Sequence, residues 1–201
     1  MNKAITGLIS ILVVFVMVPL HGWAATPKET VEAGVNNLLK TLGDPAFKAK
    51  PEDERISIIG AEIEKVFDFE ELSRRTLGRD WKKMKPEQEK EFVQLFRELL
   101  QGVYADRLLA YSDQKIIFGK ETMLKKGRAE VQSYLQTSDS KKIPLFYRLT
   151  DKSGSWKVYD VKIDNLILVS YYRSSFNAQI RKDGIDGLVK LLDEMNTKGQ
   201  G

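Results

Sequence analysis

The sequence predicts an α+β domain in which a four-stranded antiparallel sheet packs against several helices, with a hydrophobic pocket between the two layers. Three observations lead there. The apolar periodicity is helical up to about residue 112, alternating over the next fifty residues or so, and helical again to the end. No internal repeat, low-complexity tract or long linker divides the chain, so one domain accounts for residues 25–201. The wide-striped helices and one sheet face together supply more inward apolar positions than a thin two-layer core needs, and a cavity would use the surplus.

Residues 1–24 read as a signal peptide that is removed. Lys3 is the only charged residue in this stretch, an apolar run extends from Ala4 to Leu20, and Gly22 and Ala24 place small side chains three and one positions before a cut after Ala24. An uncleaved anchor is the alternative, since the run is only slightly short of the ~20 residues a spanning helix needs. Removal takes away Lys3 and no acid, so the formal charge falls from +4 to +3, close to balance. It also takes away His21, the only histidine of a chain with no cysteine. The mature protein then lacks thiols, disulfides, a lipidated N-terminal cysteine and imidazole ligands, so its stability rests on packing and its role leans towards binding. At this size roughly 70% of the unfolded surface can be buried.

Thr26-Pro27-Lys28-Glu29 is a capping box with proline at the first helical position, and Val31, Val35, Leu38, Leu39 and Leu42 share one face of the helix it opens. Gly43-Asp44-Pro45 stops that helix. After Pro51, Ile56, Ile59, Ile63 and Val66 recur at helical spacing, and Asp68 with Glu71 caps a short helix ending at Leu77-Gly78. A long helix starts at Pro86. Its Phe92, Leu95, Phe96, Leu99, Leu100, Val103 and Leu108 form a stripe wide enough to lie across the core. Four strands follow over 114–120, 128–137, 141–151 and 155–163, joined by Ser138-Asp139-Ser140 and Asp151-Lys152-Ser153-Gly154 as hairpin material. Ala129, Val131, Ser133 and Leu135 share one face of the second strand, and Ile143, Leu145, Tyr147 and Leu149 one face of the third. Pro144 implies an edge, a bulge or a strand beginning one residue later. Two helices over 166–182 and 186–196 close the chain, separated by Asp183-Gly184.

The catalytic vocabulary is thin. Ser138-x-x-Lys141 spans a hairpin and lacks the partner motifs of serine-lysine enzymes, and Ser174-Ser175 has no flanking elbow glycines and no activating histidine. Glu70 with Glu71, and Asp160 with Asp164, are neighbouring acids in a chain that is 30% charged, where surface and capping roles are ordinary. There is no calcium-type acidic loop and no phosphate-binding glycine loop. The basic runs Arg74-Arg75, Lys82-Lys83 with Lys85, Lys125-Lys126 with Arg128, and Lys141-Lys142 lack interleaved aromatics, which argues against nucleic acid. Most read as solvated faces, with acidic lipid headgroups or an acidic partner as the other reading.

Five segments carry a resemblance in order along the chain: Phe67-Asp68-Phe69-Glu70-Glu71-Leu72; Leu77-Gly78-Arg79-Asp80-Trp81; Pro86-x-Gln88 with Phe92 and Phe96; Trp156-Lys157-Val158-Tyr159-Asp160-Val161; and Tyr172-Arg173-Ser174-Ser175-Phe176. Together they resemble the MlaC (toluene-tolerance, phospholipid-binding) family from about Pro27 to Asn196. Two positions depart from that pattern: Lys85 stands where Ser or Thr often caps the helix, and Asn165 where Gly often follows the fourth strand. The resemblance implies a monomeric periplasmic carrier that holds phospholipid by its acyl chains. It would pass the lipid between an outer-membrane lipoprotein complex and the substrate-binding component of an inner-membrane ABC transporter, maintaining outer-membrane lipid asymmetry. It implies no enzyme, no cofactor and no metal; bound phospholipid is the ligand. An extracytoplasmic hydrolase and a ligand-free envelope adaptor are the other readings.

Exposing two acyl chains of about thirty methylenes to water costs on the order of 20 kcal/mol at ~0.8 kcal/mol per CH₂, so transit requires a dry cavity. A void of roughly 1,000 Å³ would hold both, which makes the sheet curl away from the long helix. The expected lipid-binding wall comprises Leu100 and Tyr104 on the long helix, Val131 and Leu135 on strand two, Leu145 and Tyr147 on strand three, Tyr159 and Val161 on strand four, and Leu168, Tyr172 and Phe176 on the helix after the sheet. Arg173 is a gate, a headgroup contact or a structural ion pair.

Overall fold

Helix capping and sheet register set the frame in a computed structural model that describes residues 25–110, 115–137, 140–152 and 154–199. Residues 1–24, expected to be a signal peptide, Gln114, expected to begin the first strand, and the turn residues Ser138, Asp139 and Ser153 lie outside the described residues. Helix α1 (Pro27–Gly43) opens as the sequence predicts: the Thr26 hydroxyl accepts from the Glu29 amide at 3.1 Å, and the Glu29 carboxylate accepts from the Thr26 amide at 2.8 Å. A single turn, α2 (Pro45–Lys48), follows under an Asp44 cap, then α3 (Glu52–Glu64). Asp68 caps α4 (Phe69–Leu77) by accepting from the Glu71 amide at 2.9 Å, and Gly78 ends it at φ 59°. A 3₁₀ turn over Asp80–Lys83 leads to α5 (Pro86–Leu109). Lys85 supplies no side-chain cap there. The Gln88 amide oxygen accepts from the Lys85 backbone N–H at 2.9 Å instead, completing half of a capping box.

The sheet is a meander, β1 (Lys115–Lys125), β2 (Arg128–Gln136), β3 (Lys142–Lys152), β4 (Ser155–Ile163) and β5 (Leu166–Ile167), antiparallel throughout and ordered as in the sequence. The fold class stands with one more strand than expected. Leu166 and Ile167 pair back on Ile163 and Lys162, so the last helix, α6 (Leu168–Gly199), starts two residues later than its periodicity suggests. The turn before β5 places Asp164, not Asn165, at positive φ (52°). Pro144 lies inside β3, opposite Tyr134 of β2. Its carbonyl accepts from the Asp164 amide at 3.0 Å, just past the end of β4. Its missing N–H therefore faces the side on which the ladder has run out, a local edge. Gly184, at φ 73°, interrupts α6 where Asp183-Gly184 was expected to divide two helices.

Three apolar clusters hold these layers. One joins α4, α5 and α6 around Phe92, Phe96, Tyr172, Phe176, Leu188 and Leu192. A second lies between α1 and the sheet around Val31, Val131, Leu149 and Val158, and a third between α1, α2 and α3 around Leu42, Phe47 and Ile59. The first is a ring cluster: Phe96 meets Tyr172 at 5.0 Å and Phe176 at 5.1 Å between centroids, both edge-on. Val103, placed in the inward stripe by spacing, is 47% exposed instead.

Burial among these rings pushes the Tyr172 phenol from its ordinary 10.0 to about 12. The fold therefore holds it neutral, and its contribution to stability is whole below pH 10 and is lost as pH rises towards 12, because the unfolded chain ionises first. Urea unfolding followed across that window should show a loss of stability that Tyr172→Phe makes shallower; an unchanged slope in the variant would exclude this linkage.

Candidate functional site

Between the three clusters the layers do not meet. The gap is a cavity of about 530 Å³, walled by the inner faces of α1, α3 and α5 on one side and of the sheet on the other. Helix α1 contributes Val35, Leu38 and Leu39, α3 contributes Ile56, Ile59 and Ile63, and α5 contributes Leu100, Tyr104 and Leu108. The sheet contributes Ile116, Leu135, Leu145, Tyr147, Val158 and Val161, and Phe69 and Leu72 of α4 complete the interior. Ile163 and Leu166 also line it while being 39% and 38% exposed, so the cavity opens to solvent beside β5.

Polar groups on this wall are few. Glu62 pairs with Lys65 at 2.6 Å, and the Arg107 guanidinium sits 5.6 Å from the Tyr104 ring centroid. Burial raises the Tyr104 and Tyr147 phenols above their ordinary range, so both are neutral near pH 7. The interior can accept an apolar guest without stranding a charge.

Of the residues expected to form the wall, the structure brings Leu100, Tyr104, Leu135, Leu145, Tyr147, Val161 and Leu168 together around this cavity. It places Val131, Tyr159, Tyr172 and Phe176 elsewhere. Val131 is fully buried in the cluster between α1 and the sheet. Tyr159 is displaced by a bulge: Leu149 faces Val158 while the preceding Arg148 faces Asp160, so Tyr159 is an extra residue and alternation resets around it. Its ring lies under the Arg75 guanidinium, 3.9 Å from the centroid. Tyr172 and Phe176, one and two turns into α6, face the rings of α5 instead of the hollow. The sequence reading overlooked α1 and α3 as cavity walls. Their single-sided apolar stripes were the available signal, since each needed a partner surface.

Of the carboxylates weighed for catalysis, Glu71 and Asp160 are committed to structure, while Glu70 and Asp164 are exposed. Although burial opposes it, the Arg74 and Arg75 guanidiniums hold Glu71 below the usual carboxylate range. Asp160 is pushed up by burial, accepts from the Val169 amide at 3.1 Å and lies 3.7 Å from Arg148. Ser174 donates to the Ser170 carbonyl, and Arg173 donates to the Arg75 carbonyl, tying α6 to α4. Among the described residues no cluster of His, Cys, Asp and Glu is arranged to hold a metal, and no helix is long and apolar enough to cross a membrane.

Glycines let the wall helices approach. A Cβ on Gly34 would stand 2.4 Å from Val66 Cγ2, a branched and confined group, whereas one on Gly60 would meet the Gln101 amide nitrogen at 2.3 Å, the free end of a flexible chain. Gly34→Ala should therefore lose about 1–3 kcal/mol in urea unfolding, while Gly60→Ala should be neutral or gain up to about 1 kcal/mol from helix propensity. Equal effects would refute the difference in confinement.

Comparison with known proteins bears on the same region. The family described as MlaC protein matches residues 32–194. The intermembrane phospholipid transport system binding protein MlaC of Haemophilus influenzae is 24% identical over 199 residues, covering 96% of this chain and 93% of its own. The toluene tolerance protein ttg2D of Pseudomonas putida is 26% identical over 193 residues, covering 93% and 86%. A solved phospholipid-binding protein of Ralstonia solanacearum, in complex with a phospholipid, superposes with a TM-score of 0.80 at 27% identity, covering 88% of this chain and all of that one.

Proposed function

The chain belongs to the MlaC family, and on that premise we propose that it is a phospholipid carrier, holding acyl chains in the cavity between sheet and helices. The observation that carries this reading is the cavity itself: 530 Å³ of apolar hollow, in a fold shared with a protein solved in complex with a phospholipid. Scaled from a 150 Å³ cavity that takes one benzene, this volume takes on the order of twenty carbon atoms. That is one whole acyl chain and part of a second, about half the room expected for two. The remaining methylenes leave by the Ile163 and Leu166 mouth or displace the α1–α3 wall outwards, so the headgroup stays in water where its charge costs nothing.

In this reading the leader directs the protein to the periplasm and is removed. The mature monomer then exchanges lipid with an outer-membrane lipoprotein complex and with the substrate-binding component of an inner-membrane ABC transporter, sustaining outer-membrane lipid asymmetry. Binding needs no reacting side chain, cofactor or metal, and the engagement of Glu71 and Asp160 in ion pairs and backbone bonds favours a carrier over a hydrolase.

Mass spectrometry of an organic extract of the purified protein should show phospholipid in near-stoichiometric amount. Val35→Trp, which places a large ring in the cavity, should reduce that lipid to a minor fraction while far-ultraviolet dichroism stays unchanged. An extract free of lipid from folded wild-type protein would favour the adaptor, and ester turnover abolished by an acidic substitution would favour the hydrolase.

A further inference from the structure

Away from the cavity mouth, the β1–β2 hairpin ends in an apolar pair beside a basic pocket, and the cavity is lined by neither. Met123 faces Ala129 and Lys125 faces Arg128, which leaves Leu124 as an extra, unpaired residue of β1. Met123 is 53% exposed and Leu124 49%, at the end of a hairpin closed through Lys126 and Gly127, the glycine at φ 68°. Arg128, immediately after the turn, forms one wall of a concavity of about 220 Å³ whose other lining residues are Arg74, Arg75, Gly78, Trp81 and Lys82.

The charge there is not balanced. Arg74 and Arg75 both bind the Glu71 carboxylate, and Arg128 lies 4.0 Å from the same group, so one acid serves three guanidiniums. Of the neighbouring acids, Asp80 pairs with Lys83 and Asp68 with Lys152 at 2.7 Å, while Glu70 is exposed and Asp151, beside Gly127, accepts from the Gly154 amide, so cations remain in excess. Lys82, Lys125 and Lys126 have no ion-pair partner among the described residues. Cations alone would read as a solvated face. Two half-exposed apolar side chains set beside them do not, because they cost free energy in water and regain it where an apolar phase lies behind an anionic layer.

We infer that this hairpin tip is a docking element for an anionic phospholipid surface. Leu124 and Met123 enter the boundary between headgroups and acyl chains, Lys125 and Lys126 lie in the headgroup layer, and the concavity between Arg74, Lys82 and Arg128 takes one lipid phosphate. Arginine suits that last role through its forked donors. An acidic protein segment would satisfy the cations but leave the apolar pair without a purpose. The element is separate from the cavity, so the protein can meet a membrane whether or not it is loaded.

The test is co-sedimentation of the purified protein with phosphatidylcholine vesicles containing or lacking phosphatidylglycerol, at low and at physiological salt. Binding should require phosphatidylglycerol and weaken with salt. Lys125→Gln with Lys126→Gln should lower vesicle affinity roughly thirtyfold and Leu124→Ser roughly tenfold, all at exposed positions that leave the fold intact by circular dichroism. Lys40→Gln with Lys48→Gln, at the C-terminal end of α1 and on α2, should change nothing. Val35→Trp should still sediment, which separates docking from cavity loading. Equal binding to both vesicle types, no binding to either, or hairpin variants that bind like wild type would each overturn the inference. So would capture of a deca-glutamate peptide, lost in the lysine variants, by a protein that ignores vesicles.

Discussion

An interior that its own side chains do not fill is the constraint to which the rest of this molecule answers. At about 24 cal/mol per Å³, leaving 530 Å³ of apolar wall without contacts sets a cost on the order of 10 kcal/mol. That is comparable with the whole stability of a typical domain, about 5–15 kcal/mol. A fold that keeps such a hollow needs a guest of the wall's own chemistry. The wall is mainly neutral phenols and aliphatic chains, with Glu62 ion-paired and Arg107 exposed to solvent, so the guest it suits is hydrocarbon.

Stability is accordingly concentrated away from the hollow. The ring cluster of Phe92, Phe96, Tyr172 and Phe176 locks α6 to α5. Arg173 reaches from α6 to the Arg75 carbonyl, and Asp160 receives the Val169 amide where α6 leaves the sheet. These ties fix the back of the molecule. The α1–α3 side is held mainly by aliphatic contacts and by helices brought close at Gly34 and Gly60, and it forms the wall best able to yield to a second chain.

Local rules made much of this legible in the sequence. The Thr26–Glu29 capping box, the Asp68 cap, the Gly78 and Gly184 breaks and the alternation of β2 and β3 all act within a few residues, and each stands where its pattern places it. What could not be read was set by longer-range geometry. The bulge at Tyr159 depends on the pairing of Arg148 with Asp160 and reverses the face assignment of a strand whose own pattern alternates. Tyr172 and Phe176 share the composition of a cavity wall, and only the position of α5 turns them into solid core. Val35, Leu39 and Ile59 were visible as apolar stripes, but nothing local says that the α1–α3 side stands across a gap from part of the sheet instead of closing on it.

The most direct measurement of the central claim is the volume change of unfolding under pressure, for protein stripped of lipid and for the same protein reloaded with phospholipid. Pressure favours unfolding in proportion to the void it eliminates. A hollow that lipid fills predicts a large negative volume change in the stripped protein and a markedly smaller one after reloading. The same small value in both states would mean that sheet and helices already close on each other, and the account would fail.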